Sequence, residues 1–128
     1  MTVRIVRLGA PREPGEGLRI GTVRRPPRGV AKADFARKDY YDVWLPNLSP
    51  SAALVSQALA AATPAQWNTF ARRFRAEMND AACARLLDVF AALSHGADFA
   101  MGCYCADENR CHRAILRALL AERGARIA

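Results

Sequence analysis

The sequence predicts an α/β fold: a small mixed or mostly parallel sheet with helices packed on it, in a single domain. Three observations predict it. Short runs of alternating or wholly apolar residues at 2–8, 18–23, 40–45 and 99–105 have strand length. Stretches with helical apolar spacing, each opened by capping residues, fill 50–93 and follow Cys111. The resulting order, three strands, three helices, a strand and a helix, is that of helices covering a sheet. At 128 residues the chain is long enough to bury a core and short enough to be one domain.

Each element has a local reason. Thr2 to Leu8 alternates, and Gly9 to Gly17 is a loop rich in glycine and proline. Leu18 to Val23 is a second strand, paired with the first as a hairpin or lying in the same sheet. Arg24-Arg25-Pro26-Pro27-Arg28-Gly29-Val30 is stiffened by its prolines and extended, and Lys32 to Lys38 reads as loop or a single helical turn. Tyr40 to Leu45 has strand composition and stops at Pro46. Ser49 then serves as N-cap and Pro50 as the first residue of a helix to about Ala61. Thr63-Pro64 starts the next helix, with Trp67, Phe70, Phe74 and Met78 as its buried stripe. Asp80 caps a third helix carrying Leu86, Leu87, Phe90 and Leu93, with His95 as a partner for its dipole and Gly96 as its stop. Phe99 to Cys105 is apolar on both faces and is expected at the centre of the sheet. A final helix carries Ile115, Leu116, Leu119 and Leu120 and ends at Gly124; the last four residues add a short edge strand or fray.

The composition narrows the function classes. No apolar run reaches membrane-spanning length, and the N-terminus alternates as a strand does rather than as a signal peptide, so the expected address is the cytoplasm. Four cysteines in a reducing compartment are thiols or metal ligands rather than a disulfide framework. The net charge of +7 is nearly all arginine, which suits bidentate grip on phosphate or carboxylate. A phosphate-bearing small molecule or a nucleic acid is the partner this charge suggests.

Chemistry concentrates in Asp98 to Arg123. The loop residues Asp107, Glu108 and Asn109 place Cys111, His112 and Arg113 at or just inside a helical first turn, where free N–H groups favour an anion. Four chemistries are to be weighed. A phosphatase loop needs five residues between Cys and Arg, and neither Cys103 nor Cys105 has an arginine at that spacing. A zinc site at Cys103, Cys105, Cys111 and His112 has suitable ligand types, but adjacent Cys111 and His112 would diverge on a helix, so no metal is expected. A Cys–His pair joins His112 to Cys105 across the loop more readily than to Cys111. In the fourth reading Arg113 and Arg28 hold an anion and the cysteines pack; the competing role for Arg28 is pairing with Asp34 or Asp107.

Cys105 to Arg113 resembles the Cys…Cys-His-Arg signature of the domain-of-unknown-function 488 family. Pro27-Arg28-Gly29-Val30 is similar to its Pro-Arg-Gly-Val element, with Lys32 matching a nearby lysine. Trp44-Leu45 through Pro50-Ser51 and Trp67…Phe70…Arg73-Phe74-Arg75-Ala76-Glu77-Met78 resemble two further segments, so the likeness runs in order over nearly the whole chain. Family members often have Asp-Arg-Leu-Trp before Pro-Arg-Gly, whereas Val23-Arg24-Arg25-Pro26 stands here, without the carboxylate. The resemblance implies a small cytoplasmic α/β domain and no established reaction. A methyltransferase label borne by some members has no counterpart in a Gly-rich cofactor loop here, and no cofactor is expected.

The expected site therefore has Cys105, Cys111 and His112 as catalytic residues and Arg24, Arg28, Lys32 and Arg113 as the anion-binding set. Whether the protein is an enzyme stays open at this level. The alternative is a non-enzymatic module whose basic surface meets nucleic acid or an acidic protein. An enzyme should gather Arg28 and Arg113 in one concave pocket.

Overall fold

The computed structural model describes residues 1–128. Four strands, β1 (Val3–Arg7), β2 (Leu18–Gly21), β3 (Val43–Trp44) and β4 (Phe99–Cys103), form one sheet in the order β1-β4-β2-β3. Every pairing is parallel. Helices α1 (Ala52–Ala60), α2 (Pro64–Met78) and α3 (Ala81–Leu93) connect β3 to β4, and α4 (His112–Glu122) follows β4. Helices on a parallel sheet are the α/β class that the pattern predicts.

The all-apolar strand is central. β4 buries all five of its residues and is flanked by β1 and β2, with Val3 and Leu18 both opposite Phe99. Of the two arrangements open to the first two strands, the shared sheet is the one formed. β4 slots between them, and residues 8–17 carry the chain back so that both begin at the same level. Neighbouring Gly21 and Gly102 keep the sheet thin there, because a Cβ on either would meet the Tyr41 ring or the Leu8 side chain.

The helix starts follow local chemistry, with one correction. Thr63 and Gln66 form a reciprocal capping box at α2, and Asp80 caps α3. At α1 the N-cap is Ser51, not Ser49; Ser49 is buried, its hydroxyl turned back onto the Pro46 carbonyl. The expected strand at 40–45 shrinks to Val43–Trp44, because Tyr41 leaves the ladder and tucks into the core. His95 donates from Nε2 to the Gly124 carbonyl at 2.7 Å, joining the ends of α3 and α4. Gly124 has the positive φ of a helix stop, and Ile127 makes a single parallel bridge to Val3. No helix is long and apolar enough to cross a membrane.

The core has two parts. Phe70, Phe74 and Met78 of α2 pack with Met101, Leu116 and Leu120 between the sheet and the helices. A smaller cluster, Leu8, Val23, Tyr41, Cys103 and Cys111, lies at the carboxyl ends of β1, β2 and β4. That end of a parallel sheet is where α/β proteins bind ligands.

Candidate functional site

Beyond Cys103 the chain leaves the sheet through Tyr104 and Cys105 and makes a 3-10 turn over Glu108–Arg110. Asp107 caps that turn by accepting from the Asn109 N–H at 2.9 Å. Glu108 fastens it to α4 through two hydrogen bonds from Arg117, at 2.6 and 2.8 Å. Cys111 is the residue just before α4, with an extended backbone (φ −138°, ψ 150°), and His112 is the first helical residue.

That geometry overturns the expectation that Cys111 and His112 diverge. Two helical neighbours would point about a quarter-turn apart. Because Cys111 is extended instead, its Sγ lies 3.8 Å from His112 Nδ1. The imidazole is clamped from its other side, where Nε2 donates to the Thr22 carbonyl at 2.6 Å. A carbonyl only accepts, so Nε2 carries a proton, and Nδ1 is the ring nitrogen that faces Cys111. Phe74 meets the ring edge-on, 5.6 Å between centroids, and holds its plane. The Thr22 hydroxyl is itself bound to the Gly102 carbonyl at 3.0 Å, so the clamp rests on the middle of the sheet.

Three thiols share this corner. Cys103 and Cys111 are buried and Cys105 is exposed, with the Sγ atoms of Cys103 and Cys105 3.8 Å apart. Hydrogen bonding to Cys105 and then Cys111, together with burial, pushes the Cys103 thiol far up. Acting as donor, Cys103 holds Cys105 well below the ordinary thiol range, helped by Cys111 and by the Arg113 charge. Cys111 is also lowered, first by Cys103 and in addition by His112. Cys105 and Cys111 are thus the sulfurs that favour the anion, and Cys103 is the one that keeps its proton.

Above it opens a cavity of about 750 Å³ at the carboxyl ends of β1, β2 and β4. Cys103, Cys105, Cys111 and His112 form part of its wall, and Arg7, Arg24, Arg25, Arg28 and Arg110 line it without a single carboxylate. None of these five arginines makes an ion pair, whereas Arg12, Arg19, Arg37, Arg75, Arg85, Arg117 and Arg123 all do. Two have backbone duties. Arg24 donates to the carbonyls of Pro46, Ser49 and Pro50, and Arg7 to that of Tyr104. Tyr104 in turn donates to the Arg25 carbonyl at 2.9 Å and pins the proline loop.

The expected site residues divide accordingly. Cys105, Cys111, His112, Arg24 and Arg28 meet at the cavity. Arg28 pairs with neither proposed carboxylate, since Asp34 binds Arg37 and Asp107 caps its own turn. Lys32 stands elsewhere, beside a second depression with Phe35 and Trp44. Arg113 does not join Arg28 on the cavity wall. It is 4 % exposed, its Nη2 donates to the Cys105 carbonyl at 2.6 Å, and its Nε is buried without a partner. As the second residue of α4 it points back under the loop rather than out of it.

Sequence reasoning left out Arg7, Arg25, Arg110 and Thr22. Arg7 and Thr22 were legible only as strand-end residues, and Arg25 and Arg110 only as members of the two loops that carry Arg28 and Cys111.

Fold and site together define a parallel α/β domain with a thiol–imidazole cluster at the carboxyl edge of its sheet. The family described as "Active DUF488-N3 subclade" (DUF488-N3a) matches residues 3–124, and the chain belongs to the DUF488 family. No curated protein and no solved structure matches it.

Proposed function

We propose that the protein binds a phosphate-bearing ligand of nucleotide size in this cavity and acts on it with the groups at the cavity wall. The observation that carries the reading is the set of five arginines without ion pairs around one concavity that holds no carboxylate. Seven arginines elsewhere pair with Asp or Glu, and Arg4, Arg72, Arg73, Arg113 and Arg126 do not; what sets this wall apart is that five unpaired guanidinium groups share one concavity. Here the missing counter-charge is best supplied by a ligand, and guanidinium suits phosphate oxygens in pairs.

The rest of the wall narrows the ligand. Tyr40 and Tyr104 meet edge to face, 6.1 Å between centroids, and Phe70, Val55 and Leu59 extend an apolar side. A ligand with a flat apolar part and a charged part fits both surfaces, and the volume lies in the usual range for small-molecule sites. Arg28, on a loop with two prolines, loses little entropy when it closes on a phosphate. Cys105 is the exposed thiol that such a ligand meets first, with Cys111 and His112 behind it. Arg24 acts by holding the β3–α1 connection in place, and Arg113 by supporting the Cys105 carbonyl. The word "Active" in the family description agrees with an enzyme. The pairing of Arg28 with Arg113 expected of an enzyme is not formed, because Arg113 is buried. The concave placement of Arg28 with Arg7, Arg25 and Arg110 is what favours a pocket over an open nucleic-acid-binding face.

The test is calorimetric titration and thermal shift with inorganic phosphate, nucleoside mono-, di- and triphosphates, and a short oligonucleotide. At least one nucleotide should bind and raise Tm, and Arg28→Gln should abolish most of the shift. A protein that responds to none of them, or binds only the oligonucleotide with equal affinity in Arg28→Gln, sinks the reading.

A further inference from the structure

We infer that Cys103, Cys111 and His112 hold a zinc ion whose fourth coordination position faces the arginine-lined cavity. The donor atoms of these three buried residues all lie within 4.8 Å of one another. Tetrahedral zinc, with Zn–S near 2.3 Å and Zn–N near 2.0–2.1 Å, needs neighbouring donors roughly 3.5–3.8 Å apart. The Cys111 Sγ to His112 Nδ1 separation of 3.8 Å meets that need without rearrangement of the fold.

A second, independent observation comes from the imidazole. Zinc-bound histidine normally donates its other ring N–H to a carbonyl or carboxylate, which fixes the tautomer and aims the ligating nitrogen. His112 is held in that way: Nε2 is bound to the Thr22 carbonyl at 2.6 Å, and Nδ1 faces the sulfurs. Thr22 is fully buried and anchored to Gly102, so the imidazole is aimed before any ion arrives. Two sulfurs and one nitrogen select a borderline-soft ion such as Zn²⁺ over Mg²⁺ or Ca²⁺.

The premise against metal was the divergence of adjacent Cys111 and His112, and the extended Cys111 backbone removes it. Three protein ligands with an open position are the pattern of catalytic rather than structural zinc. Cys105, exposed and 3.8 Å from the Cys103 sulfur, stands at the rim of that position. Zinc would displace the protons of the two buried thiols it binds, and Arg113 braces the Cys105 backbone beside them through its carbonyl. The inference deepens the pocket reading by naming the ion at its wall, but binding of the ion does not depend on the nucleotide.

The experiment is metal analysis of the full chain purified from zinc-supplemented cells, with cobalt titration of the metal-stripped protein. One zinc per chain is expected, and cobalt should give the intense near-ultraviolet band of thiolate-to-metal charge transfer. Cys111→Ser and His112→Ala should fall to near zero zinc, while Cys105→Ser keeps it. Cobalt titration of the unmutated chain reads the site even where a variant does not fold. Wild type that takes up neither zinc nor cobalt overturns the proposal, as does Cys111→Ser that is folded by circular dichroism and keeps its metal. Loss of zinc in Cys105→Ser overturns the open position. Nucleotide thermal shifts on zinc-loaded and stripped protein separate the two readings. Metal uptake without any nucleotide response removes the pocket reading alone, and nucleotide binding without metal uptake removes this one alone.

Discussion

Two arginine-rich regions flank β2, and they are built on opposite rules. At its start, Arg19 is 1 % exposed and each of its three side-chain nitrogens is hydrogen-bonded. Two hydrogen bonds go to Glu16, at 2.8 Å each, and Nη1 reaches the carbonyls of Ala10 and Asp39. Arg12 nearby grips Asp42 with both terminal nitrogens. At the other end of the same strand, the side chains of Arg25 and Arg28 make no hydrogen bond or ion pair, and that of Arg24 binds only backbone carbonyls. A buried charge left unpaired costs several kcal/mol, so the first region is paired completely. An unpaired cation costs little on an open wall, where water or a ligand can reach it. The difference teaches that the paired arginines here hold the return of the chain from β1 to β2, whereas the free ones line the cavity, where the proposed ligand would supply their counter-charge.

The largest expected effect breaks the paired side. Glu16→Ala leaves the Arg19 guanidinium buried without its carboxylate and should cost about 3–5 kcal/mol by urea denaturation. A loss under about 1 kcal/mol would mean that the two carbonyls suffice to hold the guanidinium. Arg28→Gln should leave stability within about 0.5 kcal/mol, since its side chain supports nothing.

Ligand binding sharpens the other side of the comparison. Removing one guanidinium that grips a phosphate costs about 1.5–3 kcal/mol, so Arg28→Gln should raise the nucleotide Kd roughly 10–100-fold. Arg12→Gln should leave Kd unchanged. Equal losses in the two variants would show that only general positive charge matters.

The pH dependence tests the pairing again. Burial pushes the Glu16 carboxyl up, but the hydrogen bonds and charge of Arg19 outweigh it and hold the group below its ordinary value. Asp42 is lowered in the same balance by Arg12. Folding therefore gains from these carboxylates above their unfolded pKa of about 4, and the gain is lost as pH falls through and below that value. Wild-type Tm should drop steeply below about pH 4.5, and Glu16→Ala should flatten that limb. An unchanged slope in the variant would remove Glu16 as its source.

The smallest effect belongs to an exposed pair. Arg75→Ala removes the contact with Glu122 between α2 and α4 and should shift Tm only slightly, less still in high salt. A larger shift would show that solvent does not screen this pair as its exposure suggests.

Much of this was legible in the sequence wherever a short segment decides its own state. The Thr63-Pro64 start, the Asp80 cap and the Gly124 stop depend on residues within one turn of each other, and all three formed. The central place of β4 was legible because a strand apolar on both faces has to be covered on both. The strand order was not, because a loop at 8–17 reads the same whether it closes a hairpin or carries the chain past an inserted strand. The cap expected at Ser49 rested on Pro50 as the first helical residue, but Ser49 is buried and turned onto the Pro46 carbonyl, so the helix starts from Ser51.

By itself, then, the sequence determined an α/β domain, its helix boundaries to within a few residues, and the loop where Cys105, Cys111 and His112 would gather. Only the tertiary structure decided that Arg28 stands at that loop and Arg113 beneath it, because strand register and burial set those positions from far along the chain. It also decided that Cys111 and His112 converge. Spacing along a chain converts to direction only once the backbone angles are known, and the extended Cys111 is held by a turn fastened to Arg117 and a helix fastened to Thr22.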